Sequence, residues 1–78
     1  MTMSDFCTRL EALMELDPGS VQPATMLSEL PTWDSVSRLG FMALADEVAG
    51  AQLSGTEIDQ CESVSDLARL LGETVTGG

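Results

Sequence analysis

Acid–base and nucleophilic chemistry is thinly supplied in this chain. Its 78 residues include no histidine, lysine or tyrosine, so proton transfer near neutral pH would fall to carboxylates and to Cys7 and Cys61. Those two cysteines share no CxxC spacing and have no histidine to join them, which argues against a zinc or other metal site. They read as small buried thiols on helices, and nothing here suggests the oxidising compartment a disulfide needs. The pair with chemical potential is Asp34-Ser35 at the start of a predicted helix. A serine in a first turn puts its hydroxyl where free backbone N–H groups and the macrodipole favour negative charge. A phosphodiester attached there would be electrostatically at home. Alone, however, Asp-Ser is what ordinary helix starts use. No catalysis by the chain itself is expected.

The elements that position this pair belong to one small domain, expected over residues 1–72 with a flexible tail over 73–78. At this size folding buries roughly 60% of the surface of the open chain, enough for a thin core. A hydrophobic content of 44% is too rich for a disordered acidic segment. The formal charge is -10, from 13 acidic side chains against three arginines. That balance repels nucleic acid and anionic membrane surfaces. No apolar run approaches the ~20 residues of a spanning helix, and the amino terminus lacks a basic region followed by an apolar stretch. A cytoplasmic monomer is the expectation.

Periodicity predicts an all-α fold. Ser4 can cap a first helix carrying Phe6, Leu10, Leu13 and Met14 inward and Glu11 and Glu15 on the wet side, with Asp17-Pro18-Gly19 as its stop. A long loop follows to Trp33, broken by three prolines, in which Met26, Leu27 and Leu30 suggest one short turn packed onto the core. The second helix runs from Ser35 to Ala49, between the N-cap Asp34 and the stop Gly50. Ser54-Gly55-Thr56-Glu57 has capping-box spacing for a short third helix with Ile58 and Cys61 inward. Ser63-Val64-Ser65-Asp66 repeats it for a last helix with Val64, Leu67, Leu70 and Leu71 inward and Gly72 at its end. The result is a small four-helix bundle with a long first loop and a short third helix.

The second helix is too apolar for one face. Phe41, Met42, Ala45, Val48 and Ala49 cluster on one side; Val36, Gly40, Ala43 and Glu47 lie opposite. A chain this short cannot enclose a helix all round, so either the long loop covers the second stripe or the stripe is a docking surface. Val36, Leu39, Gly40, Ala43 and Glu47 are the candidate partner-binding residues. Gly40 in mid-helix costs about 1 kcal/mol against alanine, so its missing side chain should serve a purpose. Arg38 falls on the core-side edge, placed to snorkel or to pair with a carboxylate.

These features together resemble the acyl carrier proteins and the related peptidyl carriers. Their mark is Asp-Ser-Leu at the start of the second of four helices, and this chain reads Asp34-Ser35-Val36. The likeness extends to the long first loop, the run Phe41-Met42-Ala43-Leu44-Ala45-Asp46-Glu47, the short third helix after Leu53, and Ser63-Val64 before the last helix. Trp33 makes Trp-Asp-Ser, similar to many free-standing carriers and unlike the Gly-Gly-His/Asp-Ser pattern of peptidyl carriers.

The resemblance implies that Ser35 accepts 4′-phosphopantetheine from coenzyme A through a phosphopantetheinyl transferase. Acyl groups would then ride on the arm's thiol as thioesters, delivered by a loading ligase or transferase and passed to condensing or acyl-transfer enzymes. Asp34 would cap the helix and help seat the transferase, and the protein would be a shuttle rather than an enzyme. Ser37, Arg38 and Gly40 depart from the acids or neutral polar residues of fatty-acid carriers, leaving Asp34, Asp46 and Glu47 as this helix's acids. Recognition by shape more than charge follows, and with it a specialised pathway such as polyketide synthesis. A peptidyl or aminoacyl carrier, and an acidic helical interaction module without any arm, are the alternatives.

Overall fold

Thr2 starts the first helix. In the computed structural model, which describes residues 1–75, α1 spans Met3–Met14 and the Thr2 hydroxyl accepts the Asp5 N–H at 3.1 Å. Ser4, expected as the cap, already lies inside the helix, where its carbonyl accepts the Thr8 hydroxyl. The helix also closes before Asp17-Pro18-Gly19. Glu15 turns left-handed at φ 57°, and the Leu16 N–H reaches the Glu11 carbonyl at 2.8 Å. This back-bonding satisfies the last carbonyls locally, so the proline is not what ends α1.

The inward face of α1 differs from expectation at Leu13, which is only half-buried, and at Glu11. Phe6, Cys7, Leu10 and Met14 are buried, and so is Glu11, at 7% exposure. Its carboxylate oxygen Oε2 accepts the N–H of Gly19 at 2.8 Å and of Val21 at 3.0 Å. The acid is inside because the loop brings it two backbone donors that would otherwise lack partners.

That loop is packed. Val21, Leu27 and Leu30 are buried, and a short 3-10 turn forms at Leu27–Glu29. Met26 stays exposed, unlike its neighbours, because the backbone around it pairs with the chain ahead of the last helix. An isolated antiparallel bridge joins Met26 and Ser63, with Leu27 N–H on the Glu62 carbonyl and Val64 N–H on the Thr25 carbonyl. The Ser65 hydroxyl adds a bond to the Pro23 carbonyl at 2.7 Å. The loop is therefore stitched to the start of the last helix, away from the outer face of the second.

The remaining elements follow the local signals. α2 spans Ser35–Ala49, capped by Asp34 and ended by Gly50 in the left-handed conformation (φ 62°), which glycine adopts without steric cost. α3 (Gly55–Asp59) and α4 (Val64–Leu70) each open with the complete capping box, Ser54 with Glu57 and Ser63 with Asp66. Gly72–Thr74 then winds a short 3-10 turn, the amino-terminal ammonium donates to the Thr74 carbonyl at 2.7 Å, and Val75 packs against the core. Residues 76–78 of the expected tail lie outside the described residues. Among the described residues there is no strand, and no helix is long and apolar enough to cross a membrane.

The fold is all-α, with four helices around one core. Phe6 and Phe41 meet edge to face at its centre, ring centroids 6.1 Å apart, and Leu10, Ile58, Val64 and Leu67 close round them. Each such fully buried side chain contributes about 1.5–3 kcal/mol. Leu70, expected inward, is only half-buried. Gly40 faces α1: a Cβ there would meet the Leu13 side chain at 3.0–3.3 Å. The missing side chain thus lets α1 and α2 approach closely.

Candidate functional site at the start of the second helix

The last turn of the long loop delivers the chain into α2 through one carbonyl. Thr32 O accepts both the Asp34 N–H at 3.0 Å and the hydroxyl of buried Ser37 at 2.5 Å. Trp33 lies half-buried against Phe41, edge to face with centroids 6.3 Å apart, which fixes the entry angle. Asp34 Oδ1 accepts the Ser37 N–H at 3.0 Å, so the cap is complete without help from Ser35.

Ser35 is consequently left over. It is the first residue of a 15-residue helix, exposed, and its hydroxyl makes no hydrogen bond among the described residues. Ser37, Ser54, Ser63 and Ser65, by contrast, all spend their hydroxyls on the backbone or on caps. The exposed hydroxyl lies at the positive end of the helix dipole, where an attached anion would be stabilised.

Beside Ser35 runs an open groove of about 370 Å³, between the 3-10 turn, α2 and α3. Ser28, Asp34, Arg38 and Asp59 give it a mainly polar lining, beside Trp33 and the buried Leu27, Leu30 and Ile58. Arg38 pairs with Asp59 and donates from Nη2 to the Gly55 carbonyl at 3.2 Å, tying α3 to α2. Sequence left open whether this arginine snorkels or pairs; it pairs.

Neither cysteine is a ready nucleophile. Cys7 is buried in α1, and burial, then the nearby Glu11 charge, pushes its thiol up. Cys61 was expected to point inward from a helix; it lies beyond the end of α3, half-buried, and donates to the Glu57 carbonyl at 3.5 Å. Burial and then Asp66 raise its thiol as well. Among the described residues no three His, Cys, Asp or Glu side chains cluster as a metal site would require.

The outer face of α2 stands in water. Val36 is 74% exposed and Leu39 65%, with Ala43 and Glu47 exposed on the same side. The stitched loop leaves Val36 and Leu39 uncovered, so the expectation of a loop-covered stripe is not met. Gly40 borders it, lining with Ala43, Glu47 and Arg9 a second groove of about 440 Å³ between α1 and α2.

No protein-family model, curated protein or solved structure matches this chain. Its functional reading therefore rests on the site itself.

One feature of that site was not legible in the sequence, and one residue outside it, Glu11, was misread. The Arg38–Asp59 pair joins residues far apart in the chain, with no local pattern to announce it. The buried role of Glu11 did leave a signal: it stands one turn after Cys7 and one turn before Met14, within the inward stripe of α1.

Proposed function

We propose that this chain is a discrete acyl carrier, similar to the acyl carrier proteins, with Ser35 as the attachment point of 4′-phosphopantetheine. The observation that carries the reading is the unspent Ser35 hydroxyl, exposed at the start of α2 while Asp34 completes the cap without it. The residues suit the group. A free hydroxyl takes the phosphodiester, the helix dipole favours its charge, and the adjacent, mainly polar groove suits an arm rich in amide groups. When bound, the group supplies a flexible arm whose terminal thiol carries acyl cargo as a thioester.

This chain's own residues hold and present. Asp34 and Thr32 fix the first turn, and Trp33 sets the angle at which Ser35 faces solvent. Val36 and Leu39 offer an uncharged contact to a phosphopantetheinyl transferase, to a loading ligase or transferase, and to condensing or acyl-transfer partners. Recognition through apolar shape, with Asp46 and Glu47 at the far end of the stripe, suits a dedicated biosynthetic pathway with few partners rather than general fatty-acid synthesis. The protein works as a cytoplasmic monomer and performs no catalysis of its own.

The test is incubation with coenzyme A, magnesium and a broad-specificity phosphopantetheinyl transferase, followed by intact mass. One phosphopantetheine adduct is expected on the native chain and none on Ser35→Ala. An unmodified, folded chain would instead support an acidic interaction module. In the same assay Leu39→Glu should load at least about tenfold more slowly while keeping its helical spectrum, the scale of a binding hot spot. Unchanged loading would remove Leu39 from the partner face.

A further inference from the structure

Arg38 is the cation lining the groove beside Ser35; Arg9 lies in the groove between α1 and α2, and Arg69 is paired with Asp66. It follows Ser35 by three residues on the same helix, a spacing that makes the two side chains surface neighbours. Both of its contacts, the Gly55 carbonyl and the Asp59 carboxylate, are made by Nη2. Nε and Nη1 make no bond among the described residues. The Arg38 side chain as a whole is about a third exposed, which leaves it open to solvent and to a neighbouring anion. A guanidinium with one nitrogen committed and the others free can hold two anions at once, and its planar fork suits phosphate oxygens.

We propose that Arg38 is the phosphodiester-binding residue of this protein, and that it clamps α3 to the modified start of α2. This rests on the carrier reading above. Nη2 keeps α3 through Gly55 and Asp59, while Nε and Nη1 take the non-bridging oxygens of the phosphodiester on Ser35. α3 is five residues long; Ile58 anchors it in the core and a capping box closes its start, and the Arg38 contacts at Gly55 and Asp59 add a tether to α2. Modification at Ser35 is thereby communicated to the wall of the groove where the arm would lie.

The experiment uses the full chain, before and after loading with phosphopantetheine, with loading verified by intact mass. Phosphorus and Arg38 Nε NMR signals are recorded in the native chain, Arg38→Gln and Asp59→Asn. Loading should shift the Nε signal of the native chain, and the phosphorus signal should move in Arg38→Gln towards that of the urea-unfolded chain. Asp59→Asn keeps the guanidinium and should retain the native phosphorus signal. Amide exchange at Ile58, Gln60 and Cys61 should slow by about two- to fivefold on loading in the native chain, the scale of one partly exposed ion pair, and not in either variant. A loaded chain with unmoved Nε and phosphorus signals overturns the inference and leaves the carrier reading intact. Faster α3 exchange on loading overturns the clamp, because Arg38 would then have left α3. Failure to load at all removes the carrier reading and the inference with it.

Discussion

Two carboxylates do the same chemistry at opposite ends of the long loop, and they differ in reach. Glu11 accepts backbone N–H groups eight and ten residues ahead of it, and it does so from inside the core. Asp34 accepts one N–H three residues ahead and remains exposed. The first acid therefore shapes tertiary structure: it ties the returning loop to the side of α1. The second shapes only a helix turn, which leaves the Ser35 hydroxyl unspent.

The largest expected effect tests the buried end of this contrast. Glu11→Ala leaves the Gly19 and Val21 amides without their acceptor and should cost about 3 kcal/mol in urea unfolding. A loss under about 1 kcal/mol would mean that water replaces the carboxylate, and that the loop is held by its apolar residues alone. Asp34→Ala, at the exposed end, should cost about 1 kcal/mol, and Asp34→Asn much less, since asparagine caps nearly as well. If Asp34→Ala proved as costly as Glu11→Ala, reach would not distinguish the two acids.

The smallest effect concerns a third acid, Asp66, which combines both roles in miniature. The Glu62 and Ser63 N–H groups, and after them Arg69, hold its carboxyl below the ordinary value of 3.8. A carboxylate lowered on folding contributes stability that is complete above that ordinary value. The contribution is lost as pH falls through it towards the lower folded value. Asp66→Asn should therefore flatten the acid limb of the stability–pH curve and leave its shape near neutral pH unchanged. A variant with the native acid limb would show that other carboxylates carry the acid response.

The outer face of α2 and the loop make a second contrast. Both are rich in apolar residues, yet Leu27 and Leu30 are buried while Val36 and Leu39 stand in water. Hydropathy cannot tell these cases apart. The difference lies in where the Thr25–Leu27 backbone finds partners, which is on Glu62 and Val64 rather than along α2.

Much of the architecture was nonetheless legible residue by residue. Asp34 and Gly50 bound α2 as their types require, and Ser54 with Glu57 and Ser63 with Asp66 open α3 and α4. The exposed serine at the start of α2 was legible for the same reason. Caps, turns and helical periodicity satisfy partners within about four residues, so composition and spacing suffice to specify them. The cap of α1 was misplaced because Thr2 and Ser4 are both good cap residues two positions apart, and only the geometry of the chain end selects one.

What the amino-acid order determined by itself is thus a set of short-range commitments: four helices, the limits of α2, the starts of α3 and α4, and a hydroxyl at the start of α2. Tertiary structure alone decided that Glu11 lies inside, that Gly40 receives Leu13, that Arg38 holds α3, and that Val36 and Leu39 remain uncovered. Each of these depends on a partner from another element. A buried charge or an exposed leucine becomes stable or costly only once the position of that partner is fixed.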